Sequence, residues 1–205
     1  KMSNFFLVGS IYLLFFLSGA AALIYQIVWV RSLTLVFGGS HLAVTVVLSI
    51  FMTGLALGGY AIGRVADRVR KPLRLYGLLE LGIAVFALAF AGLMHAYPTI
   101  YVALASGREG SAIYLSAVRV LFSAVALIVP TALMGGTLPV LSRFVSRQPE
   151  ALRSYLAFLY GFNTLGAVVG AALAGFVLLR LLPVSTVLHL AVGANVFIGL
   201  ARLVL

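Results

Sequence analysis

The chain of 205 residues has no cysteine, one tryptophan and four acidic residues. Without cysteine it forms no disulfide and offers no thiolate metal ligand. Three histidines and four acids, none of them clustered, make a metal centre unexpected. Charge itself is scarce. Only 9% of the residues are charged, against about 25% in an ordinary globular domain. A soluble domain must cover its surface with polar groups, and 63% of this chain is hydrophobic. Soluble enzymes, disordered tails and disulfide scaffolds are therefore excluded as readings of the whole chain. There is no strand pattern and no glycine-rich phosphate turn between a strand and a helix. No nucleophile–base pair or carboxylate pair stands out. This segment is expected to be no enzyme and to hold no cofactor.

What the chain does have is long apolar sequence, the mark of an integral membrane protein. Crossing about 30 Å of hydrocarbon takes ~20 helical residues. Six stretches qualify, near 5–30, 42–62, 75–94, 112–133, 155–179 and 184–204. The expected fold is all-α: a single domain over 1–205, a polytopic bundle of six transmembrane helices. Ala20-Ala21-Ala22 resembles a signal-peptide cleavage site, but the apolar run continues to Val30, beyond the length of a signal core. It is read as a span. Met2-Ser3-Asn4 reads as a natural start, which makes Lys1 an addition. The abrupt apolar end at Leu205 suggests that the natural chain continues.

The formal net charge is +10. In a soluble domain that would point to nucleic acid; here it points to membrane lipids, and no nucleic-acid partner is expected. The second connector carries Arg64, Arg68, Arg70, Lys71 and Arg74, and the fourth carries Arg143, Arg147 and Arg153. The odd connectors have one base each, Arg31, Arg108 and Arg180. The positive-inside rule then puts the even connectors and both termini in the cytoplasm, in keeping with a prokaryotic inner membrane. Tyr97 and Tyr101 suit the opposite interface. The third connector, about 95–111, is long enough for a short helix on the outer surface, with Pro98 near its start and Gly107 and Gly110 near its end.

Three spans followed by three spans give two halves of opposite orientation, a possible 3+3 inverted repeat. Spans two and five correspond, and both are rich in small residues: Gly54, Gly58, Gly59 and Gly63 in one, Gly161, Gly166, Gly170 and Gly175 in the other. Such faces let helix backbones approach closely. They serve either packing within the chain or a homodimer.

Two stretches carry resemblances. Gly63-Arg64-Val65-Ala66-Asp67-Arg68-Val69-Arg70-Lys71 resembles the loop signature between the second and third helices of the major facilitator superfamily, with Arg70 where that family usually has Gly. That likeness implies a charge latch at Asp67, Arg68 and Lys71, and a fold like half of a facilitator bundle. The first span ends in Ser18-Gly19-Ala20-Ala21-Ala22-Leu23-Ile24-Tyr25-Gln26-Ile27-Val28-Trp29-Val30-Arg31. Thr53-Gly54-Leu55-Ala56-Leu57-Gly58-Gly59, Met134-Gly135-Gly136-Thr137-Leu138-Pro139 and Tyr160-Gly161-Phe162-Asn163-Thr164-Leu165-Gly166-Ala167 follow. Together these blocks are similar to the membrane domain of the spermidine-synthase-like integral membrane proteins, with Gln26 where many members have Glu. The resemblance implies a membrane module joined to a cytoplasmic aminopropyltransferase-like domain. No residue of this segment fits that catalytic domain, so it would follow Leu205.

Four polar residues within the spans form the candidate intramembrane site: Gln26, Glu80, Arg119 and Asn163. A charge there is costly and must pair or face water. For Glu80 the adjoining basic loops offer ion-pair partners; a ligand or cation contact is the alternative. Arg119 either snorkels outward or binds an anion. Gln26 and Asn163 suit interhelical hydrogen bonds or a substrate contact. His189 is read as packed or lipid-facing. Pro130 and then Gly135, Gly136 and Pro139 are expected to break span four, as a mobile segment or as a plain helix stop. The function that follows is a non-catalytic module that anchors or scaffolds a cytoplasmic domain or a larger complex, as a homodimer or with other membrane subunits. The alternative is a half-size facilitator-like transporter of polyamines or other small solutes, working as a dimer.

Overall fold

The computed structural model describes residues 2–107, 111–145 and 152–204. Lys1, Arg108, Gly110, Arg147 and Leu205 lie outside the described residues. The elements are α1 (Met2–Phe37), α2 (Ser40–Ala66), α3 (Pro72–Ala105), α4 (Ala112–Val145), α5 (Leu152–Ala172), a π-helical segment (Leu173–Leu178), α6 (Leu179–Leu181) and α7 (Val184–Val204). Among the described residues, six helices are long and apolar enough to cross a membrane, the fifth running from Arg153 to Leu181. The protein is an all-α, multi-pass membrane bundle.

Local chemistry sets the helix ends. Gly38, at φ 72°, lets the chain turn out of α1, and its N–H donates to the Thr34 carbonyl at 2.9 Å. Pro72 opens α3 at its first turn, where a missing N–H costs nothing. The Ser111 hydroxyl accepts the Tyr114 N–H at 3.4 Å at the start of α4. Leu182 is extended (φ −127°, ψ 149°) before Pro183, as the ring of a following proline demands.

Glycine sets which helices touch. On α2, Gly54 meets Thr131 of α4, Gly58 lies against the Ala132 backbone and Gly63 faces Pro139. The numbers rise together, so α2 and α4 run parallel. On α5, Gly166 lies against the Phe16 backbone of α1 and Gly170 against that of Ala20, again parallel. Helices α3 and α7 cross in opposite senses, with Gly77 on Gly199 and Glu80 on Asn195. Exchanging the first three spans with the last three maps α2–α4 onto α1–α5, α3–α4 onto α1–α7, and α3–α7 onto itself; all these pairs are in contact. This is the pairing of two inverted three-helix halves. It is not perfect. Helix α2 also packs well on α1, whereas α5 barely touches α4 and sits outboard on α1. Gly161 and Gly175 face open space. The other glycines of spans two and five are used inside the chain.

Two expectations are corrected. The segment from His95 to Ala105 is no separate surface helix but the last three turns of α3, with Pro98 inside it. Proline keeps a helical φ and removes one hydrogen bond, a loss that solvation near the helix end offsets. Span four does not break at Gly135, Gly136 and Pro139 either: α4 is continuous from Ala112 to Val145. Gly135 lies against the Leu55 backbone and Gly136 against the Ile62 side chain. These glycines serve close packing. The carbonyl freed by Pro139 belongs to Gly135, and it faces Gly59 of α2.

The interior has two apolar clusters. One gathers Tyr25, Trp29, Phe51, Ile83, Phe90, Leu127 and Val187; the other gathers Ile11, Phe15, Tyr76, Leu79, Leu141 and Ile198. The second lies towards the end bearing the basic second connector.

A methyl group at Gly58 would overlap the Ala132 carbonyl, and backbone cannot rotate away. Gly58→Ala is expected to cost about 1–3 kcal/mol or more. Gly161→Ala, in open space, is expected to be neutral. Thermal melting of both variants in detergent checks the contrast, and equal melting points would contradict this packing.

Candidate functional site

Between the two apolar clusters lies a polar seam. Glu80 of α3 is fully buried, at 0% exposure. The Ser18 hydroxyl of α1 donates to its Oε1 at 2.6 Å. The Asn195 Nδ2 of α7 donates to its Oε2. The Tyr76 hydroxyl, one turn back on α3, also reaches the carboxyl, and lies 3.5 Å from the Leu14 carbonyl. Three helices thus meet at one carboxyl group. The expectation that the basic loops would partner Glu80 is corrected: its partners are neutral groups from the bundle interior. A side chain one and a half to two turns inside a span is closer to neighbouring helices than to a connector.

The seam extends both ways. Inward, Tyr25 stacks on Trp29 with ring centroids 5.4 Å apart, and Trp29 packs on Phe51 and Phe90. This aromatic group closes the far side. Toward the basic end, buried Arg202 of α7 donates from Nη2 to the Ser10 hydroxyl at 2.8 Å. Asn195, Ile198, Gly199 and Arg202 recur at helical spacing, so one face of α7 lines the seam. Tyr25 Oη, Asn195 Oδ1 and Arg202 Nε are buried without a hydrogen-bond partner. Such orphans are rare and tend to mark water or ligand positions.

The four candidate residues do not form one site. Among the described residues, no hydrogen bond joins any two of them. Gln26 is buried on α1, two turns beyond Ser18. Asn163 of α5 presents its backbone and amide to Gly19 of α1, so it belongs to the α1–α5 contact. Arg119 sits at the opposite end of the bundle. It donates from Nη2 to the Tyr101 hydroxyl at 2.9 Å, with its guanidinium 5.2 Å from that ring. This ties α4 to α3 beside an apolar cavity of about 420 Å³ lined by Tyr97, Tyr101, Tyr114 and Phe122.

Asp67, Arg68 and Lys71 are all exposed. Asp67 caps the end of α2, and its backbone carbonyl lies 3.5 Å from Arg143 Nη2 of α4. His189 is exposed, with Nδ1 2.6 Å from the Ser185 carbonyl. Asn195, Ser18, Tyr76 and Arg202 escaped the sequence reading as members of a site. Asn195 was open to it as the one amide in its span; the others are legible only from the packing. Among the described residues no group of His, Asp and Glu fits a metal ion. No family model, no curated protein and no solved structure matches the chain.

Removing a donor takes one hydrogen bond from a buried carboxyl. Ser18→Ala and Asn195→Leu are each expected to lower stability by about 1–3 kcal/mol. In a double-mutant cycle, Ser18→Ala and Glu80→Gln should be non-additive by at least about 0.5 kcal/mol. Denaturation in detergent measures this, and strict additivity would contradict the contact.

Proposed function

We propose that this chain is a non-catalytic membrane module that anchors or scaffolds a cytoplasmic domain or a larger membrane complex. The observation that carries the reading is the closed polar seam. Glu80 is fully buried, its donors come from the chain itself, and stacked Tyr25 and Trp29 close the far side. An arrangement of this kind locks three helices together and leaves no charged path through the bundle at that point. The distribution of basic connectors supports a prokaryotic inner membrane with both termini cytoplasmic. The spermidine-synthase-like sequence blocks support an aminopropyltransferase-like domain as the anchored cargo. The exposed apolar residues of the fifth span, Phe158, Tyr160, Leu165 and Phe176, support a second copy or another membrane subunit as neighbour.

One observation favours a second reading, a half-size facilitator-like transporter working as a dimer: the inverted pairing of α2–α4 with α1–α5. In transporters such halves rock against each other.

The native protein, purified from its own membrane in mild detergent, separates the two. The anchor reading expects a mass or a copurifying subunit beyond this bundle, and no spermidine or putrescine uptake in proteoliposomes. A lone bundle that takes up either amine, with uptake lost in Glu80→Gln, would replace it with the transporter.

A further inference from the structure

We propose that the basic end of the bundle holds a binding site for an anionic phosphate group, formed by Arg70, Lys71, Arg74 and Arg202. A cavity of about 330 Å³ opens there, with all four bases on its wall and Phe144 of α4 beside them. That volume is at the small end of the range for ligand pockets, roughly 300–1,000 Å³. Asp67, the acid of the same connector, does not line it.

Arg202 is the decisive residue. It is 2% exposed, lines the cavity, and has a buried Nε without a hydrogen-bond partner. Its Nη2 is held by the Ser10 hydroxyl at 2.8 Å, which fixes the guanidinium plane. Among the described residues no carboxylate pairs with it; Glu80 is engaged by Ser18 and Asn195. A buried guanidinium without a counter-charge is expensive. An anion in the adjoining cavity removes that cost. The start of α3 lies on the same wall, at Lys71, Pro72, Leu73 and Arg74, with no side-chain cap on the helix. Its positive end adds to the field of the bases.

Phosphate is the anion that fits. It carries up to two charges and enough oxygens for several donors. Arginine forks grip it in bidentate fashion, while lysine supplies a point charge. The cavity lies where the apolar spans give way to the basic connector, at the depth of lipid headgroups. A lipid phosphomonoester and a soluble phosphate ester share this chemistry. The site is independent of whether the bundle anchors or transports.

The test uses the full chain in detergent. Thermal melting is followed while dioctanoyl phosphatidic acid, inorganic phosphate or dioctanoyl phosphatidylcholine is titrated in. Phosphatidic acid should raise the melting point by several degrees, and the zwitterionic lipid should not. A rise with phosphatidic acid alone makes the ligand a lipid headgroup. A rise with inorganic phosphate as well extends the site to soluble esters. Arg74→Gln, at an exposed position that should not disturb folding, is expected to weaken phosphatidic acid binding about tenfold, the worth of one charge-assisted contact. Arg202→Gln should weaken it at least as much; if that variant fails to fold, Arg74→Gln with Lys71→Gln carries the test. The proposal falls if neither phosphate compound shifts the melting point. It falls equally if phosphatidylcholine does as well as phosphatidic acid, or if the shift survives Arg74→Gln with Lys71→Gln.

Discussion

The Gly58 Cα rests on the Ala132 carbonyl with no space for a methyl group, and the bundle depends on contacts of this kind. Inside a membrane, lipid tails are as apolar as leucine, so hydrophobicity does not hold one helix to another. Close approach of backbones does, through dispersion and weak polar contacts. Gly54, Gly58 and Gly135 supply it between α2 and α4; Gly19, Gly166 and Gly170 supply it between α1 and α5; Gly77 and Gly199 supply it between α3 and α7. Once these three pairs are set, α1 and α3 are drawn together through α7, and the interior is closed.

The glycine contacts fix distance, and the seam fixes rotation. Successive side chains on a helix point about 100° apart. Turning α1 or α7 by one residue would carry Ser18 or Asn195 away from Glu80 and take one of its donors from a buried carboxyl. No apolar contact is so intolerant, because one leucine replaces another at small cost. The polar group thus acts as a register mark between the two apolar clusters, a use well attested for single buried polar residues in helical assemblies.

How much was legible follows from how local each signal is. Six spans could be counted because length and hydropathy are properties of contiguous sequence. The small-residue faces of spans two and five were visible at four-residue spacing, and Gly54, Gly58, Gly166 and Gly170 do lie at helix contacts. Gly161 and Gly175 share the pattern and touch nothing within 4 Å, since spacing does not reveal which face has a neighbour. Pro130, Gly135, Gly136 and Pro139 suggested a break because they were judged without the helix that packs on them. In place, α4 runs on through both prolines, and the carbonyl that Pro139 frees, that of Gly135, faces Gly59 of α2. The π-helical turn at Leu173–Leu178 had no forerunner in the composition. Glu80 stood out in the sequence, but Ser18 and Asn195 lie 62 and 115 residues away, beyond the reach of any local pattern.

The closest helix pairs skip a neighbour in sequence, and this constrains biogenesis. Helix α2 waits for α4, and α1 waits for α5. A chain inserted from its N-terminus therefore cannot complete the bundle hairpin by hairpin. Until α5 is made Gly19 lacks the Asn163 backbone it packs on, and until α7 is made Glu80 lacks Asn195. The first helix has α2 and Glu80 of α3 beside it early, and gains its largest contact, with α5, only late in synthesis. Helix α7, made after the other five spans, brings both Asn195 and Arg202, so its insertion is also the step that completes the donors of the buried carboxyl.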